Sequence, residues 1–235
     1  MKEWKTRNGY RILKVLAGRS NVFLVEAGTK NFLIDTSAGF MWKALNMQLR
    51  KLNIKKIDFL ILTHSHFDHA ANAYRIRKLF GPEIFIHRLE SECLAYGRNP
   101  PTDGTNFFYK LILKVQSSPV KCFMNYAPCL YDHVVDSETD FNDLGINAFI
   151  LHTPGHTRGS MSFIVDNEYA FVGDCMFGIF KGSIFPPVAA DIAEMTRSWD
   201  KLLKTGCNLF LPSHGSEIPR SLVEEEYRKY YIKAS

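Results

Sequence analysis

Three imidazoles and a carboxylate fall within six positions at His64-Ser65-His66-Phe67-Asp68-His69. Imidazole nitrogen and carboxylate oxygen are the donors that suit zinc and neighbouring divalent metals. The apolar run Ile57–Thr63 before them reads as a buried strand. Ala70–Leu79 after them, Ala-rich with basic residues towards its end, reads as a helix. The cluster therefore occupies a strand-to-helix turn at the edge of a sheet. Four ionisable groups beside a buried strand are costly unless something pairs them, which favours a ligand role over a His-rich surface turn.

Three later residues extend the pattern. His156, Asp174 and His214 each follow a strand-like segment, at Phe149–Leu151, Tyr169–Val172 and Asn208–Leu211. In layered α/β folds strand ends point to a common edge, where sites are built. His64, His66 and His156 supply three nitrogens to one metal and leave a position for water. Asp68, His69 and His214 can serve a second metal, and Asp174 has a carboxylate that could bridge both. Two metals about 3.5–4 Å apart would share a water, lower its pKa and hold it as hydroxide. Two divalent ions are thus expected, zinc first, with iron or manganese as alternatives. Asp68 is also the catalytic candidate, orienting the nucleophile or carrying its proton. Asp35 and Asp58 are candidates to hold the other nitrogens of the imidazoles. His87, His133 and His152 are left as surface or internally satisfied histidines.

The elements that position these residues follow from hydrophobic periodicity. Tyr10–Leu16, Asn21–Ala27 and Asn31–Asp35 form an antiparallel meander, followed by a helix over Met41–Leu52. Further strands are expected at Glu83–His87 and Met161–Val165, and a helix at Ile192–Lys204. The charged, aromatic segment Ser221–Ile232, with Tyr227, Tyr230 and Tyr231, reads as a terminal helix packed on its own domain. No linker or repeat divides residues 1–235, so one domain is expected, with an insertion at about 88–135. Within it, Asn99-Pro100-Pro101 signals a loop, and Phe107, Phe108, Leu111, Ile112 and Val115 share one helical face. That insertion is expected to form a lid or pocket wall. With Phe177–Pro187 it would shape a partly apolar substrate pocket. Tyr96, Tyr109, Tyr126 and Tyr131 are its candidates for protonating a leaving group.

Composition narrows the class further. The formal charge of +5 is diffuse, which gives no basic groove for nucleic acid. No apolar run is long enough to span a bilayer, and no secretory signal is visible at the N-terminus. Five cysteines without a CxxC pair argue against a disulfide framework and a thiolate zinc site, and free thiols suit a cytoplasmic location. The expected partner is a small-molecule substrate, with neither nucleic acid nor membrane, and the oligomeric state is left open.

His64-x-His66-x-Asp68-His69, Gly155-His156, Gly173-Asp174 and Ser213-His214-Gly215, in that order, resemble the metallo-β-lactamase superfamily. The opening strands with Asn21-Val22-Phe23-Leu24-Val25 and Leu33-Ile34-Asp35-Thr36 are similar to its first motif. The resemblance implies a four-layer αββα sandwich in the α/β class, with the metal site at one edge. It also implies His64, His66 and His156 on one metal, Asp68, His69 and His214 on the other, and Asp174 between them. Thr153-Pro154-Gly155-His156-Thr157 is most similar to the glyoxalase II-like and lactonase-like branch. Zinc β-lactamases usually offer a cysteine to the second metal, and Cys175 is one residue out of that register. A dinuclear, metal-dependent hydrolase of an ester-like bond is therefore expected, acting on a thioester, lactone or related acyl substrate through a metal-bridging hydroxide. The alternatives are a mononuclear iron enzyme like the persulfide dioxygenases, or a phosphodiesterase or nuclease of the same fold.

Overall fold

Leu13, Leu24, Leu33 and Leu60 are fully buried, and so are Ile12, Val25, Phe32 and Ile61 beside them in sequence. Successive strand residues point to opposite faces, so these strands are covered on both sides and read as continuous apolar runs. The structure, a computed structural model, describes residues 1–101, 103, 104 and 125–234, with side chains described to residue 230 and not at 103 and 104.

The first half of the chain runs β1 (Lys2–Lys5), β2 (Arg11–Leu16), β3 (Val22–Ala27), β4 (Lys30–Ile34), α1 (Trp42–Lys51), β5 (Phe59–Ile61), α2 (Phe67–Ala70), α3 (Ala73–Phe80), β6 (Glu83–His87) and α4 (Arg88–Tyr96). The short β7 (Asp103–Gly104) and β8 (His133–Val135) follow. The second half runs β9 (Thr139–Asp140), β10 (Ala148–His152), β11 (Met161–Val165), β12 (Tyr169–Gly173), β13 (Val188–Ala189), α5 (Ile192–Lys204), β14 (Leu209–Pro212), β15 (Ile218–Pro219) and α6 (Arg220–Ala234). One large sheet has the order β1-β2-β3-β4-β5-β6-β8 and the other β15-β14-β12-β11-β10-β9, while β7 and β13 pair as a small third sheet. The meander β1–β4 is antiparallel, whereas β4, β5, β6 and β8 run parallel to one another, as do β12 and β14. The parallel strands send their C-terminal ends to one edge, and the candidate ligands leave from there.

The sheets face each other across an aromatic core. Phe32 of β4 stacks on Phe163 of β11 at 5.2 Å and meets Phe141 edge-on at 5.0 Å. Such pairs contribute about 0.5–1.5 kcal/mol each beyond the area they bury. On the outer face of the first sheet, Leu45 and Leu49 of α1 and Ile76 of α3 cover Leu13, Leu24 and Leu60. On the outer face of the second, Met195, Trp199 and Leu202 of α5 and Val223 of α6 cover Ile164, Val172 and Phe210. The layers are therefore helix, sheet, sheet, helix, as the αββα expectation has it. Tyr227 and Tyr230 pack into the second outer layer, Tyr230 lying 4.7 Å from Phe185, so the terminal helix does cover its own domain.

Three differences from the sequence expectations have local causes. The helix expected from Ala70 is two helices, because Asn72 turns its backbone to φ −103°, ψ 8°. Its side-chain amide there donates to the carbonyls of Thr36, Ser37 and Ala38, fastening the helix start to the loop after β4. The insertion begins with α4, capped at its start by the His87 ring, which accepts from the Leu89 amide. β1 extends the first sheet, with Trp4 packed 6.3 Å from Phe23. The helical stripe expected at Phe107–Gln116, together with Tyr109 and Cys122, lies outside the described residues. No described helix is long and apolar enough to cross a membrane.

Candidate metal centre

All seven candidate ligands lie just beyond strand ends on this edge. His64 follows β5 by three residues, Asp174 follows β12 directly, His214 follows β14 by two, and His156 follows β10 by four. Asp68 and His69 sit on the single-turn helix α2 that the cluster itself forms. Two glycines make the turns possible. Gly155 has φ +133°, and a Cβ there would come within 2.3 Å of the Met195 backbone; at Gly173, φ +53°, it would meet the Thr63 hydroxyl at 2.7 Å. Only a residue without a side chain lets His156 and Asp174 follow at these angles.

His64 Nε2, His66 Nδ1 and His156 Nε2 converge, with separations of 2.9 Å and 3.1 Å from the His66 nitrogen. A tetrahedral zinc with ordinary Zn–N bonds spaces its nitrogens about 3.3 Å apart, so these three are placed for one ion. Asp68, His69 and His214 form a second group, and His64, His69 and Asp174 a third that overlaps both. The Asp68 carboxylate lies 3.7 Å from His214 Nε2 and 4.0 Å from His69 Nε2. Asp174 stands between the groups. Its Oδ2 is 3.3 Å from His214 Nε2 and 3.5 Å from His156 Nε2, and its Oδ1 is 3.4 Å from His69 Nε2.

The protonation pattern suits cation binding. Burial pushes the pKa values of His64, His66 and His156 down, to about 4 for the last two, so these imidazoles are neutral at pH 7 and keep a lone pair. Burial disfavours the charge on Asp174 as well, yet His214 and His69 outweigh it and hold that carboxyl well below its ordinary range. Burial likewise opposes a charge on His69, but Asp174 and Asp35 hold its pKa well above the usual value. His69 Nε2 and Asp174 Oδ1 are buried and have no hydrogen-bond partner. With Nδ1 donating to Asp35, His69 Nε2 faces the Asp174 carboxylate at 3.4 Å, where either a proton or a metal ion on that nitrogen would satisfy both. The donor set therefore fits a metal ion.

The other ring nitrogens of His69, His156 and His66 are held by acceptors. His69 Nδ1 lies 2.8 Å from Asp35 Oδ2, His156 Nδ1 lies 2.9 Å from the Val188 carbonyl, and His66 Nε2 lies 3.3 Å from the Pro100 carbonyl. These contacts assign N–H to the outer nitrogen and leave the inner one free to ligate. Asp35 is fully buried and sits at φ +59°. Besides His69 it accepts from the Thr63 amide at 2.8 Å, the Thr63 hydroxyl at 2.9 Å and the Ser213 hydroxyl at 3.0 Å. One carboxylate thus ties the turn after β5 to the turn after β14. The expectation for Asp35 holds.

Asp58 requires a correction. It lies at the opposite end of β5, where it accepts from the Asn31 amide at 2.9 Å and pairs with Lys56 at 2.6 Å. It fastens the start of the strand, and no imidazole is within its reach. Cys175 is buried among the apolar residues under α5, and burial pushes its thiol up to about 12. The leftover histidines stay outside the centre. His87 stacks on His152 at 4.0 Å, His152 Nε2 faces the Arg158 carbonyl, and His133 pairs with Glu83. Among the tyrosine candidates, Tyr126 is committed elsewhere, its hydroxyl donating to the Ser65 carbonyl at 2.7 Å. Tyr96 is exposed beneath the Arg98 guanidinium, and Tyr131 packs against the first outer core. None of these three is shown at the centre.

Two residues around the centre were not singled out from the sequence. Glu90 of α4 is 1 % exposed and accepts from both the amide and the hydroxyl of Ser65, between the ligands His64 and His66. Glu90 and Tyr126 thereby hold Ser65 by its N–H and by its carbonyl. Arg19 reaches from the β2–β3 turn to Asp68 Oδ2 at 3.0 Å. Neither position carries a local signal, since an acid in a first helical turn and an arginine beside a glycine are both ordinary surface choices.

Fold and site together place groups that could hold metal ions at the edge of an αββα sandwich. A profile of the metallo-beta-lactamase superfamily matches residues 15–214. A protein named probable metallo-hydrolase, from Methanocaldococcus jannaschii, is 29% identical over 200 residues, covering 83% of this chain and 87% of its own. An atrochrysone carboxyl ACP thioesterase of Aspergillus chevalieri is 24% identical over 227 residues; the match covers 91% of this chain but only 60% of the thioesterase. Among solved structures, an archaeal metallo-beta-lactamase superfamily protein from Sulfolobus tokodaii superposes with a TM-score of 0.64 at 18% identity, covering 91% of this chain and 80% of that one. The chain belongs to the metallo-beta-lactamase superfamily, and it is a hydrolase of that class.

Proposed function

We propose that the protein hydrolyses an ester-like bond of a small molecule (a thioester, lactone or related acyl substrate) with two divalent metal ions, zinc first. The observation that carries this reading is the position of Asp174, whose Oδ2 stands within 3.5 Å of ligand nitrogens from both groups. A carboxylate shared in this way suits a bridge between two ions. When bound, the ions supply Lewis acidity and a lowered water pKa. His64, His66 and His156 would hold one of them as neutral donors, and Asp68, His69 and His214 the other. Asp68 lines the centre at 5 % exposure, where its carboxylate can orient an attacking water and take up its proton. Asp35 keeps His69 in the tautomer whose inner nitrogen is free. Phe177, whose ring lies 4.6 Å from that of His214, gives the site an apolar wall.

The match to an acyl-carrier-protein thioesterase supports an acyl substrate over a phosphodiester, within the share of that relative which the chain covers. Steady-state kinetics of the zinc-loaded protein on a panel of thioesters, lactones, β-lactams and phosphodiesters tests the proposal. Turnover of thioesters or lactones is the expected result. Turnover confined to phosphodiesters, or no turnover at all, would overturn it.

A further inference from the structure

Arg19 is 54% exposed in its side chain, and it is the only arginine or lysine among the described residues whose ion pair is to a candidate ligand carboxylate. Its placement is built rather than incidental. The next residue, Ser20, donates its hydroxyl to the Asp68 carbonyl. Asn21 after it donates its amide to Ser213 and its side chain to the carbonyls of Pro212 and Gly215. The β2–β3 turn is thus fastened to both ligand-bearing turns, with Arg19 directed at the centre between them. The guanidinium also lies over the Phe67 ring at 5.6 Å, which limits the plane it can take.

Only Nε of this guanidinium is engaged, on Asp68 Oδ2 at 3.0 Å. A carboxylate has about four lone-pair directions, so Asp68 can keep this contact while it serves an ion. The two terminal nitrogens have no hydrogen-bond or ion-pair partner among the described residues and stand at the half-exposed mouth of the site. They form a fork of the spacing that matches a carboxylate. Charge points the same way. Two divalent ions carry four positive charges, which the carboxylates of Asp35, Asp68, Asp174 and Glu90 balance. The charge of Arg19 then leaves an excess at the mouth, and such a site attracts an anion.

We propose that Arg19 is a specificity-determining residue that receives a carboxylate of the substrate, close to the bond that is cut. The substrate class is then an acyl compound with a free carboxylate on its acyl portion. This inference rests on the proposed ester-hydrolase reading of the same site. The test uses the zinc-loaded full chain and the N-acetylcysteamine thioesters of succinate and of its monomethyl ester. Wild-type protein should prefer the free carboxylate, and in Arg19→Met that preference, as a ratio of kcat/KM values, should fall by about 10–100-fold, the equivalent of a charged hydrogen-bonded pair. Arg19→Lys, which keeps the charge without the fork, should fall between them.

Calorimetric titration with succinate gives a readout independent of turnover. It should bind Arg19→Met about tenfold or more weakly than wild type, with two zinc ions per chain retained in the variant. Equal preference in wild type and variant, or equal succinate affinity, would overturn the proposal. So would a shifted zinc affinity with both thioesters impaired alike, because Arg19 would then act only by positioning Asp68. If wild type cleaves neither these thioesters nor any ester or lactone of the panel, the ester-hydrolase reading fails, and the succinate titration still decides whether Arg19 receives a carboxylate.

Discussion

Asp174→Asn lowers kcat/KM by about a thousandfold and cuts bound metal from two ions per chain towards one, while the fold persists; this is the largest effect expected of any single substitution here. Asparagine keeps the shape of aspartate, so the variant removes charge with little change in packing. What it removes is specific. Asp174 faces His156 on one side and His214 and His69 on the other, all within 3.5 Å. It is the one carboxylate that both groups share. The fall corresponds to about 4 kcal/mol of lost transition-state stabilisation, within what polarisation by a bound ion supplies. Metal analysis and kinetics on one preparation check it. A variant that holds two ions and works at the wild-type rate would mean that Asp174 bridges nothing.

Asp35→Asn is the second large effect, and it acts through a tautomer. In the wild type Asp35 accepts the His69 Nδ1 proton at 2.8 Å, leaving Nε2 as the donor to a metal. The asparagine oxygen can still accept from the Thr63 amide, but its NH2 group then faces His69 and Ser213, both of which are donors in the wild type. The relaxed arrangement puts the His69 proton on Nε2, where it blocks ligation. Loss of about 10–100-fold in affinity for the second ion is expected. Asp35→Ala should be worse for folding, since it orphans several buried donors at about 1–3 kcal/mol each. Zinc titration with a competing chelator, alongside thermal melts of the metal-free proteins, separates the two consequences. Unchanged affinity for both ions in Asp35→Asn would show that the contact is structural only.

Much of this site was legible in the sequence because metal ligation needs particular atoms at strand ends. The two-sided burial of β2–β5 appears as apolar runs, and the runs of β4 and β5 stop where a ligand or its turn begins. Asp35 could be found for the same reason, since it closes β4 as Ile34 ends. Asp58 was open to the wrong reading because sequence alone does not say which end of a three-residue strand faces the site. Glu90 and Arg19 were not legible at all. Their roles depend on where α4 and the β2–β3 turn pack in three dimensions, and local spacing carries no trace of that. The pocket wall is the least legible part, because specificity lies in side-chain shapes on loops, which obey no period.

Metal content tests the central claim, a two-ion zinc centre, most directly. Protein purified without added metal and analysed by inductively coupled plasma mass spectrometry should contain about two zinc ions per chain. One iron per chain, with His64, His66 and His156 alone needed to hold it, would contradict a dinuclear hydrolase and point to redox chemistry at the first site.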